Sequence, residues 1–202
     1  RPLTSPLLFN KALKPSPLTQ ERPAKSSELF FLPCQGRLSL TLCSRKCMMS
    51  NLKYGAASVA DLPRIVDMKI EMFYEAGHGD LLTSDAESIV LKDYLSLYEK
   101  NLACHFVARD GQTLVASVGA FVKNDLPFRY FEPPRYGFLG DVYTEDRYRG
   151  IGIATTLSIH ALNWLKLRNI RMVRLFASEA ARPIYESLGF TNTDEMALQL
   201  ET

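Results

Sequence analysis

Two glycines one residue apart, set between a stretch of strand character and a stretch of helical character, constrain this chain more than any other feature. The passage reads Val142-Tyr143-Thr144, then Arg147-Tyr148-Arg149-Gly150-Ile151-Gly152, then Ile153-Ala154-Thr155. Glycine reaches backbone angles closed to other residues and carries no Cβ, so the chain can turn sharply and a ligand can approach the main chain. The first amides of the helix that follows point outward unpaired, with the positive end of the macrodipole behind them. Such a turn suits an anion, above all a phosphate, and Arg147 and Arg149 add full charges beside it. Taken alone, the loop also fits a plain strand-to-helix connection whose glycines serve geometry only. Two other phosphate loops match poorly. No Gly-Lys-Ser/Thr follows, and Thr155 stands where a dinucleotide fold has its third glycine, with no acidic residue ending the next strand.

The surrounding sequence supplies the elements. Leu52 to Ala57 reads as a strand, and Ser58, Asp61 and Pro63 open a helix whose buried face carries Leu62, Ile65, Val66, Met72 and Phe73. Gly77-His78-Gly79-Asp80 breaks it, and Ser84-Asp85-Ala86-Glu87 has the spacing of a capping box for a second helix striped with Leu91, Tyr94, Leu95 and Tyr98. Strands over Cys104–Arg109 and Thr113–Val122 flank Asp110-Gly111, a hairpin signal. Tyr136 to Thr144 is a further strand after a proline-rich loop holding the aromatics Phe128, Tyr130 and Phe131. Gly152 to Leu167 is a helix with Ile153, Leu157, Ala161, Trp164 and Leu165 on one stripe; Met172–Ala177, Ser178–Leu188 and Met196–Leu200 read as strand, helix and strand. The order β-α-α-β-β-β-α-β-α-β predicts an α/β (α+β) domain, a mixed central sheet with helices on both faces.

Charge divides the chain. Residues 1–50 hold eight Lys/Arg against Glu21 and Glu28, a net of +6, so sixteen basic and twenty acidic residues of the totals of 24 and 22 fall in 51–202. The first segment is rich in proline and shows no period, which predicts disorder; it reads as a stretch that is not native sequence, a basic transit segment, or a native tail that docks or regulates. The domain is therefore expected over 51–202. Cys34, Cys43 and Cys47 lack a paired spacing, which argues against a metal site. An overall net charge of +2 is too weak to demand nucleic acid. No apolar run approaches the ~20 residues of a membrane span. A cytoplasmic protein with no nucleic-acid or membrane partner is the expectation.

With its context, the glycine loop resembles a known signature. Val142-Tyr143-Thr144-x-x-Arg147-x-x-Gly150-Ile151-Gly152-Ile153-Ala154-x-x-Leu157 is similar to the acetyl-CoA segment of the GNAT N-acetyltransferase superfamily, and Ala177-Ser178-x-x-Ala181-Arg182-Pro183-Ile184-Tyr185-Glu186-x-Leu188-Gly189-Phe190 resembles that family's closing motif. Ala57-x-x-x-Asp61-Leu62-Pro63-x-Ile65 resembles its first strand and helix.

The resemblance implies acetyl-CoA as co-substrate, with no metal. It places Val142, Tyr143 and Thr144 along the pantetheine arm. Arg147, Arg149, Gly150, Ile151, Gly152, Ile153, Ala154 and Thr155 would then stand at the pyrophosphate, with Ser178 also at the cofactor or simply capping the helix after it. It makes Tyr185 the general acid for the leaving thiolate, a role open to a hydroxyl still protonated at neutral pH; packing beneath the helix is the alternative. A base for the incoming ammonium is harder to find. Arg135-Tyr136-Gly137 offers no acid, so Asp141 is the candidate carboxylate, with a structural role as its alternative. His78 stands in a glycine-flanked loop, and His105 and His160 fall inside elements. The implied reaction is acetyl transfer to a primary amine of a small molecule or peptide, by a monomer or homodimer. A noncatalytic acyl-CoA-binding module is the other reading.

Overall fold

The computed structural model describes residues 52–125 and 133–195. Strand β1 is Leu52–Ala56. The Ser58 amide and hydroxyl both donate to Asp61 Oδ2 at 2.8 Å, closing a 3-10 turn that runs into helix α1, Leu62–Glu75. Helix α2 is Ala86–Glu99, followed by β2, Ala103–Asp110, and β3, Thr113–Asn124. Strand β4 is Arg135–Thr144, helix α3 is Ile153–Lys166, β5 is Val173–Arg174 and α4 is Arg182–Ser187. The last expected strand, Met196–Leu200, and the aromatic loop around Phe128 lie outside the described residues, as does the extension before residue 52.

The sheet order is β1-β2-β3-β4-β5, an antiparallel meander through β4 with β5 added parallel to it. The turn Gly111–Gln112 closes the β2–β3 hairpin, with Gly111 at φ +59, the left-handed angle that glycine accepts without strain. The interior of β3 is buried without a break from Leu114 to Val122, the mark of a strand covered on both faces. One cluster, under α1 and α2, gathers Leu62, Ile65, Val66, Met68, Tyr94, Val107 and Phe121. The other, under α3 and α4, gathers Phe106, Val118, Leu139, Ile153, Leu157, Leu165 and Tyr185. Each fully buried apolar side chain contributes about 1.5–3 kcal/mol, so both faces depend on their helices.

The expected three-layer α/β architecture is present, with local corrections. On α1 the deep contact is Met68, while Met72 and Phe73 are half-buried. The capping box at Ser84–Glu87 is not made: Asp85 precedes α2 without a side-chain cap bond, and Ser88 Oγ donates to the Asp85 carbonyl instead. Leu95 is exposed, and Leu97 packs in its place. The strand expected over Met172–Ala177 is only two residues long, because β4 and β5 part after Phe138 pairs with Arg174. The helix expected from Ser178 starts at Arg182, after a turn in which the Ala181 and Arg182 amides donate to the Ser178 carbonyl.

Candidate active site

The glycine loop is built as its residue types dictate. A 3-10 turn, Asp146–Tyr148, leaves β4 and buries Tyr148, whose hydroxyl donates to Asp110 Oδ2 at 2.8 Å and ties the loop to the β2–β3 hairpin. Gly150 and Gly152 follow at φ +75 and +84, with Gly152 at the N-cap of α3. The first backbone bond into the helix is from the Thr156 amide to the Gly152 carbonyl, so the six amides of 150–155 have no acceptor among the described residues. A Cβ added at Gly150 or Gly152 would meet nothing within 4 Å. Open space in front of consecutive unpaired amides, at the positive end of a helix, fits a pyrophosphate.

The two arginines are not equally free. Arg147 is mostly exposed, stacks on the Tyr148 ring and stands 3.5 Å from Glu145. Arg149 donates from Nε to the Thr144 carbonyl at 2.7 Å and pairs with Glu75 at 2.5 Å. Glu75 also accepts from the Tyr143 hydroxyl at 2.8 Å. The hydrogen bonds from Arg149 and Tyr143 hold its carboxyl below the usual carboxylate range.

Beside the loop, β4 is irregular. Ser117 pairs with Tyr143 and Gly119 with Gly140, so Asp141 and Val142 together face the single residue Val118. This is a β-bulge, with Asp141 at φ +53. Its side chain is buried on the α1–α2 face, where Oδ1 accepts from Lys69 Nζ at 2.5 Å and Oδ2 accepts from the Tyr94 hydroxyl and stands 3.1 Å from His105 Nε2. The Tyr98 hydroxyl accepts the His105 amide N–H at 2.8 Å and lies 3.0 Å from Nδ1. With Nε2 donating to Asp141 and Nδ1 accepting from the Tyr98 hydroxyl, every contact of the ring is satisfied. Burial pushes the Asp141 carboxyl upward, but the His105 hydrogen bond and the Lys69 charge outweigh it and hold it well below the usual range. Burial, then the Asp141 charge, drives the Tyr94 phenol far above its ordinary value.

Of the expected catalytic residues, Tyr185 lies in α4, buried within the cluster that includes Leu157 and against which Val142 packs from β4. Its hydroxyl has no partner among the described residues, and burial raises its pKa, so it remains a proton donor at neutral pH. A cavity of about 750 Å³ opens between β5 and α4, lined by Val173, Leu175, Ala177, Tyr185 and Phe190. That cavity includes no residue from 141 to 155, so the case for the glycine loop rests on its backbone. Ser178 Oγ accepts from the Ala181 amide at 3.3 Å, which braces the turn before α4; the N-cap position is Ala181, without a side-chain cap bond. His78 and His160 are exposed, and His105 is the buried member of the three.

Sequence reasoning passed over Lys69, Tyr94 and Glu75, which come from helices far along the chain. No local spacing could have found them, since Lys69 lies 72 residues from Asp141.

Residues 67–190 match the Acetyltransferase (GNAT) family. The chain belongs to that family. GNAT acetyltransferases use acetyl-CoA as co-substrate, the cofactor expected from the sequence. A predicted acetyltransferase from Clostridium acetobutylicum, crystallised with acetyl-CoA, superimposes with a TM-score of 0.68 at 26% identity, over 74% of this chain and 96% of that one. A GCN5-related N-acetyltransferase from Ralstonia eutropha gives 0.67 at 22% identity, over 74% and 98%. An aminoglycoside 6'-N-acetyltransferase from Acinetobacter haemolyticus gives 0.56 at 22%, over 74% and 98%. The last two show the shared fold. No curated protein matches this chain. Among the described residues no group of three or more His, Cys, Asp or Glu is placed to hold a metal ion, and no helix is long and apolar enough to cross a membrane.

Proposed function

We propose that the domain transfers an acetyl group from acetyl-CoA to a primary amine of a small molecule or peptide by direct attack. The observation that carries this is the run of unpaired amides from Gly150 to Thr155, opening onto the edge of β4 that β5 has left. In this reading those amides, with Arg147, hold the pyrophosphate. Val142, Tyr143 and Thr144 lie along the pantetheine arm, with the backbone N–H of Val142 aimed at the acetyl carbonyl oxygen. An amide pre-aimed at developing negative charge stabilises the transition state without reorganisation. Tyr185, protonated and buried, donates to the departing sulfur. Ser178 stands at the start of the turn before α4 and contributes to the same cofactor wall.

Asp141 stays in this proposal with a changed task. A general base must hold the proton it takes, and a carboxylate already paired with Lys69, Tyr94 and His105 holds one poorly. The acceptor amine therefore loses its proton to water rather than to Asp141. The test is coenzyme A release over a panel of amines, with Tyr185→Phe alongside. Release above background with some amine, depressed in the variant, supports the enzyme. Acetyl-CoA binding with no release for any amine supports a noncatalytic acyl-CoA-binding module instead, a reading favoured by the lack of a poised base on β4.

A further inference from the structure

We infer that Asp141 is a positioning residue: its carboxylate, gripped by Lys69, Tyr94 and His105, locks the β4 bulge in the register that turns the Val142 N–H to the open edge of the strand. The inference rests on the proposed function, because it takes that edge to be where the acetyl carbonyl lies.

The direction of each amide follows from two hydrogen bonds. The Gly137 amide donates to the Met172 carbonyl, on the β5 side. The Glu145 amide donates to the Val115 carbonyl, on the β3 side. These residues are an even number apart, so an unbroken strand would aim both the same way. The extra residue at Asp141–Val142 reverses the alternation. Beyond it Tyr143 and Glu145 face β3, and Val142 and Thr144 face outward. The Thr144 carbonyl bears this out by accepting from Arg149, outside the ladder. Without the bulge, Val142 would direct its N–H into the pairing with β3, and the edge would lose its donor at that point.

The bulge needs something to hold it. Asp141 sits at φ +53, a region that residues with a Cβ avoid. Its main chain is held by Ser117 Oγ, which donates to its carbonyl at 3.2 Å. Its side chain is held from three separate elements: Lys69 on α1, Tyr94 on α2 and His105 on β2. Releasing the carboxylate would strand the donors of Tyr94 and His105 in the core and leave Lys69 without its counter-charge. The grip therefore acts on the acetyl group through one peptide unit, from the face of the sheet opposite α3 and α4.

The experiment uses acetyl-CoA labelled with 13C at the acetyl carbonyl, bound to the whole chain and observed by NMR. A hydrogen bond to the carbonyl oxygen moves the resonance downfield of its free position. The wild type is expected to show that shift. Asp141→Asn and Tyr94→Phe are expected to bind acetyl-CoA within about threefold of wild type while losing most of it, and kcat with any accepted amine falls about tenfold to a hundredfold at unchanged KM for acetyl-CoA. A purely structural role would lower the melting temperature and leave the shift of the folded protein intact, and that result overturns the inference. Should Asp141→Asn fail to fold, Tyr94→Phe decides alone. Wild-type protein that binds without any shift removes the inference and leaves the cofactor site standing; wild-type protein that does not bind removes both.

Discussion

Replacing Gly150 separates backbone strain from charge at the proposed pyrophosphate site. Any other residue there is held at φ +75, which costs roughly 1–2 kcal/mol, but its Cβ meets no protein atom within 4 Å. That strain lowers the melting temperature by about 2–4 °C per kcal/mol for a domain of this size. It should be the same for Gly150→Glu and Gly150→Lys. Binding is where the two part. A carboxylate about 5 Å from a phosphate charge repels it by roughly 3 kcal/mol at an effective dielectric near 20. At about 1.4 kcal/mol per decade, that is about two orders of magnitude in Kd. Lysine brings similar bulk with the opposite charge and recovers much of the loss. Calorimetric titration with acetyl-CoA and thermal melts of both variants make the comparison. Equal losses for Glu and Lys would show that charge is not what the loop recognises. Unchanged affinity in Gly150→Glu would remove the site from this loop altogether.

Three further outcomes are expected. Tyr185→Phe lowers kcat by about a hundredfold, within the usual range for a lost general acid, and leaves KM for acetyl-CoA and the melting temperature nearly unchanged because its hydroxyl has no partner among the described residues; full activity in steady-state kinetics would end its catalytic role. Asp141→Asn breaks a buried pair and costs about 3–5 kcal/mol at neutral pH. The Asp141 pKa is depressed in the folded state, so its contribution is fully present above the unfolded value near ~3.9 and is lost as pH falls below it. Melting curves of the two proteins should therefore converge only below about pH 4, and a gap that narrows already at neutral pH contradicts the assignment. Gly119→Ala places a Cβ 2.6 Å from the Phe121 ring and 3.0 Å from His105 Nε2. Overpacking there costs about 1–3 kcal/mol, and a variant as stable as wild type would show that His105 is not tightly held.

Most of the fold was legible because its signals are local. The Gly111 turn, the helix start marked by Ser58, Asp61 and Pro63, and the Ile153–Leu157–Ala161–Leu165 stripe are each local in the chain. The glycine turn into α3 was legible for the same reason, since its glycines and the helix behind them are contiguous. The short β5 was not, because Met172–Ala177 has strand character throughout and only the divergence from β4 ends it. Asp141 was visible as a carboxylate on a strand, but not as a bulge residue. A bulge shifts every later side chain to the other face, so alternation counted from Phe138 would have placed Asp141 on the α3–α4 side. Its partners belong to α1, α2 and β2, and tertiary packing alone brings them there.

The bulge has a second effect, on the glycine loop itself. By turning the Thr144 carbonyl outward it gives Arg149 an acceptor, and the same guanidinium reaches Glu75 at the last turn of α1. Tyr143, on the inner face, donates to that Glu75 as well. Strand register, loop and helix end are thus joined through one arginine. The two halves of this linkage differ in strength. Arg149 and Glu75 are both nearly half exposed, and an exposed pair is worth at most about 1 kcal/mol, so a phosphate group competes for Arg149 at little cost. The Asp141 grip is buried and shared among three donors, so it does not yield in the same way. In the proposed function, a loop that gives where the ligand's charge arrives sits beside a strand that keeps its donor fixed, a division of labour suited to transfer of a bound acetyl group.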